Sequence, residues 1–268
     1  MIGPATAALI LAIILVVLPP LIAPLESRFL RSKPGTARKL AYYAFTIVAL
    51  WVLAAAAARI FGIEGLRDAS WPWKAWLPLP AIGGPLMGVL LAAYFLLALM
   101  PLIQSLRGPR WRRAYAKAYR RYAEDFAGLL PETGIERFAF ILLSLTAGVC
   151  EEALYRGFLI RYLHDGAAAL PLFLALAAAS LAFGLAHIYQ GAPALLRTGI
   201  AGLAFGLLFL MTGSLIPAVV LHALIDLQGL YVLWPLSDED MPSESPGHSA
   251  PSQSREAHPG DLPMPTRT

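Results

Sequence analysis

Long apolar runs alternate with short polar segments over the first 236 residues, and a polar stretch rich in proline and serine follows them. The runs fall at about residues 5–25, 41–60, 84–106, 137–163, 168–188, 198–212 and 215–236. Most are close to the ~20 residues that a helix needs to cross the hydrocarbon core of a bilayer. Peptide groups inside lipid must be bonded within their own segment, so runs of this length are expected as helices. The pattern predicts an all-α fold, a polytopic membrane bundle of about seven transmembrane helices with a polar site in its core.

Composition agrees with that class. The 268 residues are 58% hydrophobic and 14% charged, against about 25% charged in soluble domains. Three segments are expected: transmembrane helices and a basic loop over residues 1–136, a helical core over 137–236, and a disordered tail over 237–268. The tail has too few large apolar residues to offset its chain entropy. The first run has no basic leader or evident cleavage site and is expected to stay as an anchor, with a kink or early end at Pro19, Pro20 and Pro24.

The net charge of +4 is carried by loops. Residues 26–40 hold five Lys or Arg and residues 104–137 hold eight, which predicts that both are cytoplasmic and that the N-terminus lies outside. Trp71, Trp73 and Trp76 suit the outer interface. Residues 107–127 interleave bases with aromatics and are expected to lie on anionic lipid headgroups; no nucleic-acid recognition motif accompanies them, and no nucleic-acid partner is expected. Cys150 is the single cysteine, so no intramolecular disulfide can form.

Against this background a few ionisable residues stand out. Of seventeen acidic residues, Glu151, Glu152 and Asp226 alone fall inside apolar runs, together with His187, His222 and Arg156. An ionisable group at bilayer depth costs about 2.5–3.5 kcal/mol on insertion scales, so such groups mark function or pair with one another. Glu152 and Arg156 are four apart and can pair across one helical turn, while Glu151 projects about 100° away from its neighbour and has no local partner. His187 follows Phe183 by four residues and His222 precedes Asp226 by four, so each pair shares a helix face. Two imidazoles and three carboxylates on three helices point to one water-lined site. The glycines of Gly199-Ile200-Ala201-Gly202 and Gly206 read as helix packing, and Cys150 as a buried packing residue.

Glu151-Glu152-x-x-x-Arg156, Phe183-x-x-x-His187 and His222-x-x-x-Asp226, in that order, resemble the CPBP family of intramembrane proteases. Its members include type II CAAX prenyl endopeptidases and Abi-like bacteriocin-processing or immunity proteins. The resemblance spans about residues 137–236. It implies that Glu151 is the general base, that His187 helps it polarise a water, that His222 and Asp226 line the transition-state pocket, and that Glu152 and Arg156 brace the helix. Many relatives carry asparagine where this chain has Asp226. An ionised aspartate cannot donate to an oxyanion, which leaves a protonated Asp226, an Asp226 that orients His222, or a metal ligand; orientation of His222 is the preferred reading.

The expected activity is therefore hydrolysis of a peptide bond in a membrane-associated protein or peptide, in a multi-pass protein of a bacterial plasma membrane. No cofactor is expected; zinc held by Glu151, His187, His222 and Asp226 is the alternative. A proton-coupled transporter and a non-catalytic scaffold or immunity factor are the competing classes. One feature strains the peptidase reading. With helices at 137–163 and 168–188, His187 lies ~10 Å nearer the cytoplasmic side than Glu151.

Overall fold

A computed structural model of the chain describes residues 3–62, 83–122, 124–166 and 168–233. Trp71, Trp73, Trp76, His248, His258 and the tail over 237–268 lie outside the described residues. The described residues are helical and contain no strand. In order they form α1 (Pro4–Arg31), α2 (Thr36–Phe61), α3 (Gly83–Ala98), α4 (Met100–Ser105), α5 (Pro109–Tyr122), a 3-10 segment (Glu124–Leu129), α6 (Gly134–Glu152), a π-helical segment (Ala153–Leu159), α7 (Ile160–Asp165), α8 (Leu172–Ala186), a 3-10 turn (Ile188–Gln190), α9 (Ala192–Thr212) and α10 (Ile216–Leu233).

Among these, four stretches are long and apolar enough to cross a membrane: α1, α2, the continuous helix Gly134–Asp165, and α9. Three shorter apolar helices accompany them, at Gly84–Ala98, Leu172–Ala186 and Ile216–Val232. The protein is an all-α, multi-pass membrane helix bundle. Large apolar side chains such as Leu21, Leu25, Phe45, Val52, Leu97 and Phe173 face outward, as expected of surfaces whose solvent is lipid.

Helix α1 continues through Pro19, Pro20 and Pro24 to Arg31, so the expected early end does not occur. Pro19 lacks the N–H that would bond the carbonyl of Leu15. The Tyr155 hydroxyl donates to that carbonyl at 3.4 Å. A neighbouring element thus satisfies what the proline left open, which is how membrane helices tolerate proline.

At the other end of α1 the two basic loops meet. Lys39 Nζ donates to the carbonyl of Leu130 at 2.9 Å and pairs with Glu136 Oε2 at 3.0 Å. Both side chains are buried. Glu136 is also the third residue of α6, and its Oε2 accepts from the Thr133 N–H at 3.3 Å while Thr133 Oγ1 accepts from the Glu136 N–H at 3.3 Å. This reciprocal capping box starts α6. The Thr133-x-x-Glu136 spacing is a sequence signature of such a start, whereas the partnership with Lys39, 97 residues away, is not readable in the sequence.

Two glycines bring the core helices close. A side-chain carbon at Gly148 of α6 would stand 3.1 Å from the Val219 carbonyl and 3.2 Å from Ala223 Cβ, so α6 and α10 meet nearly backbone to backbone. At Gly184 of α8 it would fall 2.6 Å from the Leu195 carbonyl and 3.2 Å from Gly199 of α9. Small residues are the usual means of close helix approach in lipid. Here they draw α6, α8, α9 and α10 around one point.

Candidate active site

That point is occupied by the ionisable residues. Glu151 and Glu152 end α6, just before the α-helical bonding gives way to the π-helical segment Ala153–Leu159. Such wide turns recur at functional sites in helices. Arg156 lies within it, buried, with Nη1 3.0 Å from Glu152 Oε1 and Nη2 donating to the Gly202 carbonyl on α9 at 3.3 Å. Its guanidinium lies 4.3 Å from the Phe183 ring centroid and 5.3 Å from that of Phe205. A buried cation is thus neutralised by one carboxylate and faced by two aromatic rings.

Glu152 has a second partner. Its Oε1 accepts from His222 Nδ1 at 2.7 Å. The His222 ring stacks on Phe205, with centroids 5.3 Å apart and planes 13° apart, and meets Phe183 edge-on. Since a carboxylate can only accept, Nδ1 of His222 carries a proton and Nε2 is turned to the other side of the ring.

His187 caps the C-terminus of α8. Its Nδ1 lies 2.8 Å from the carbonyl of Phe183. A carbonyl also only accepts, so in the neutral imidazole Nε2 bears the lone pair. Phe183, the first residue of its motif, therefore holds His187 through its backbone and Arg156 through its ring.

Both Nε2 atoms face Glu151. Oε2 of Glu151 is 3.9 Å from His187 Nε2 and 3.8 Å from His222 Nε2. It is buried and has no hydrogen-bond partner among the described residues. Asp226, one turn beyond His222 on α10, places Oδ2 3.8 Å from His222 Nε2, with 34% of its side chain exposed. The side chains of Glu151 and His187 are 17% and 16% exposed and that of His222 is 6%. Asp226 thus stands at the open edge of the group. Cys150 is fully buried.

The ~10 Å depth difference disappears because both helix boundaries differ from the apolar runs. The helix carrying Glu151 continues to Asp165, and α8 begins at Leu172, after Pro171. Fourteen residues separate Glu151 from that turn and fifteen separate His187 from it, or roughly 21 and 22 Å at helical rise. The two side chains are brought level.

Zinc would need donors closer together. Bonds of 2.0–2.1 Å in a tetrahedron set ligand atoms about 3.3 Å apart, whereas the separations here are 3.8–3.9 Å. Among the described residues no group of three His, Cys, Asp or Glu has the spacing of a metal site. The donor types suit zinc, but their placement does not fit it.

No curated protein and no solved structure matches the chain. Residues 134–228 match the family model of type II CAAX prenyl endopeptidase Rce1-like proteins. That stretch begins with α6 and contains Glu151, Glu152, Arg156, His187, His222 and Asp226. The segment that assembles the polar cluster is thus the part of the chain that is similar to the CPBP, or CAAX-protease, family of membrane-embedded peptidases.

Proposed function

We propose that the protein is an intramembrane endopeptidase that hydrolyses a peptide bond of a membrane-associated protein or peptide, using a water activated by Glu151 and His187. The observation that carries this reading is the buried Oε2 of Glu151, which has no hydrogen-bond partner among the described residues and stands nearly equidistant from two imidazole nitrogens. A water seated there at ordinary hydrogen-bond length, about 2.8 Å, spans such separations. It donates one proton toward Glu151 and the other toward the lone pair of His187 Nε2, leaving its oxygen free to attack.

As the water oxygen bonds to the peptide carbon, Glu151 takes its proton and the carbonyl oxygen becomes an oxyanion. His222 donates to that oxyanion from Nε2 in its doubly protonated form, and Glu152 stabilises the imidazolium through Nδ1. Glu151 then passes its proton to the amide nitrogen as the carbon–nitrogen bond breaks. Asp226, at the exposed edge, borders the substrate's path. Glu152, Arg156, Phe183 and Phe205 hold the reacting side chains in place.

No metal enters this scheme, since the donor spacing is wider than zinc requires. We further place the basic loops in the cytoplasm of a bacterial cell and the N-terminus outside. The contact of residues 26–40 with 124–137 through Lys39 supports a common side for the two loops. Helix α5 is docked on α10 by Arg112, whose guanidinium lies 5.5 Å from the Tyr231 ring centroid, and its exposed Arg110, Trp111 and Lys117 suit anionic headgroups.

The deciding experiment compares membrane-derived and secreted peptides, by mass spectrometry, from cells with the wild-type protein and with E151Q. Peptides that depend on the carboxylate identify substrates. Identical peptide populations would remove the peptidase reading.

A further inference from the structure

The family match begins at residue 134, yet His187 is held from outside it. The 3-10 turn after His187 makes its own bonds from the Gln190 N–H to the His187 carbonyl at 3.0 Å and from the Gly191 N–H to the Ile188 carbonyl at 2.9 Å. The next carbonyl, that of Tyr189, accepts instead from Ser27 Oγ on α1 at 2.8 Å. Serine in a membrane helix commonly bonds back to its own helix; here it reaches 162 residues along the chain.

Tyr189 transmits this anchor to the site. Its ring stacks on that of His187, with centroids 6.2 Å apart and planes 27° apart. It packs against a cluster of Leu30 of α1 and Phe126, which Phe29 of α1 and Tyr42 of α2 also flank, and Gln190 Nε2 donates to its hydroxyl at 3.0 Å. Tyr42 in turn donates to Glu26, the neighbour of Ser27. Higher in α1, Tyr155 is tied to the Leu15 carbonyl. The first helix thus grips the matched domain at both the Glu151 motif and the His187 motif.

We propose that Ser27 is a positioning residue for the hydrolytic site, its bond to the Tyr189 carbonyl setting where His187 Nε2 stands relative to Glu151. The proposal rests on reading His187 as a catalytic side chain. A spacing of 3.9 Å lets one water bridge the two groups, and a small displacement of the turn would break that bridge. Misplacement by about 1 Å is enough to cost a reaction on the order of a hundredfold.

The test uses the full-length protein in nanodiscs with nitrogen-15 in its five histidines, the His187 signals being assigned from H187Q. In S27A the His187 ring-nitrogen shifts and their titration are expected to move while those of His222 stay. S27T, which keeps the hydroxyl, restores them, and S32A, which removes an exposed hydroxyl at the end of the same helix, changes nothing. Cleavage of a library of membrane-anchored quenched peptides should fall roughly ten- to a hundredfold in kcat for S27A with KM retained. Should S27A lower the folded yield, S27C keeps the size with a weaker donor, and Y189L removes the stacked ring; both are expected to move the same signals. Unmoved His187 signals in folded S27A, S27C or Y189L overturn the proposal. The nitrogen shifts need no turnover, so an inactive wild-type protein would count against the peptidase reading while the positioning role is still decided.

Discussion

Glu152 on α6 and His222 on α10, 70 residues apart in the chain, are joined by a 2.7 Å hydrogen bond from Nδ1 to Oε1. The same oxygen pairs with Arg156 Nη1 at 3.0 Å. One fully buried carboxylate therefore neutralises the Arg156 cation and sets the tautomer of His222. The bond gives the orientation of His222 to Glu152, where the sequence had suggested Asp226, whose Oδ2 stands 3.8 Å from Nε2 on the other side of the ring. The i, i+4 spacing puts Asp226 on the same helix face as His222, but the close approach of α6 and α10 at Gly148 brings a nearer carboxylate to Nδ1.

E152A is expected to destabilise the folded protein by about 3–5 kcal/mol, because it strands a buried guanidinium. R156A should cost a similar amount by stranding Glu152. If the two act as one unit, the double variant costs clearly less than the sum of the singles. Thermal unfolding of purified protein in one detergent measures all three, and additive losses would count against a shared buried pair.

Much of this site is legible in the sequence, because its chemistry is local in the chain. The pairing of Glu152 with Arg156 follows from helical spacing, and the isolation of Glu151 from the 100° step between neighbours. The long-range contacts were not legible. Lys39 and Glu136 sit in segments whose charges read as a topological signal, and only the meeting of α2 with the start of α6 makes them a buried pair. The depth of His187 is not legible in the sequence for a similar reason. Hydropathy shows where a run is apolar but not that one helix continues to Asp165 while the next waits for Pro171.

E151Q is expected to abolish peptide cleavage, by roughly a hundredfold or more for loss of a general base. Folded yield should be unchanged or higher, since the variant removes a buried carboxylate oxygen that has no hydrogen-bond partner among the described residues. Cleavage assays and unfolding measured on one preparation separate the two effects. The proton-coupled transport class makes the opposite prediction for liposomes, namely solute flux that E151Q stops without any peptide appearing.

Asp226 and metal chemistry can be tested together. With Glu152 orienting His222, D226N should keep turnover within a few-fold of wild type, whereas H222Q loses both the Glu152 partner and the oxyanion donor. A water mechanism further predicts that prolonged EDTA treatment leaves turnover intact and that elemental analysis finds no stoichiometric zinc. Loss of activity in EDTA, restored by zinc, would require the four donor groups to close by about 0.5 Å on a metal.

Helix α5 presents Arg110 and Lys117 to the surroundings. Charge reversal at these positions, R110E with K117E, is expected to weaken function in nanodiscs rich in anionic lipid and to matter little in zwitterionic ones. A juxtamembrane base is worth about 1 kcal/mol near an anionic surface. Activity in the two lipid compositions, at low and high salt, gives the comparison, and an equal effect in both would point to packing.

Lys39 and Glu136 provide the clearest stability test, because neither touches the reacting groups. Their side chains are 4% and 2% exposed, and Glu136 Oε2 also accepts from the Glu132 N–H at 2.7 Å. Removing Lys39 alone therefore leaves a buried carboxylate with no counter-charge, held only by backbone N–H groups and the Thr36 hydroxyl, and K39M should destabilise by about 3–5 kcal/mol. E136Q leaves an ammonium that still has the Leu130 carbonyl but loses its counter-charge, and should cost less. In the double variant, K39M with E136Q, no charge remains to be buried. The glutamine can still accept from the first-turn N–H groups, so stability should recover most of what K39M lost. A double-mutant cycle of unfolding free energies in detergent decides this, and a double variant as unstable as K39M would show that Lys39 acts through its packing stem.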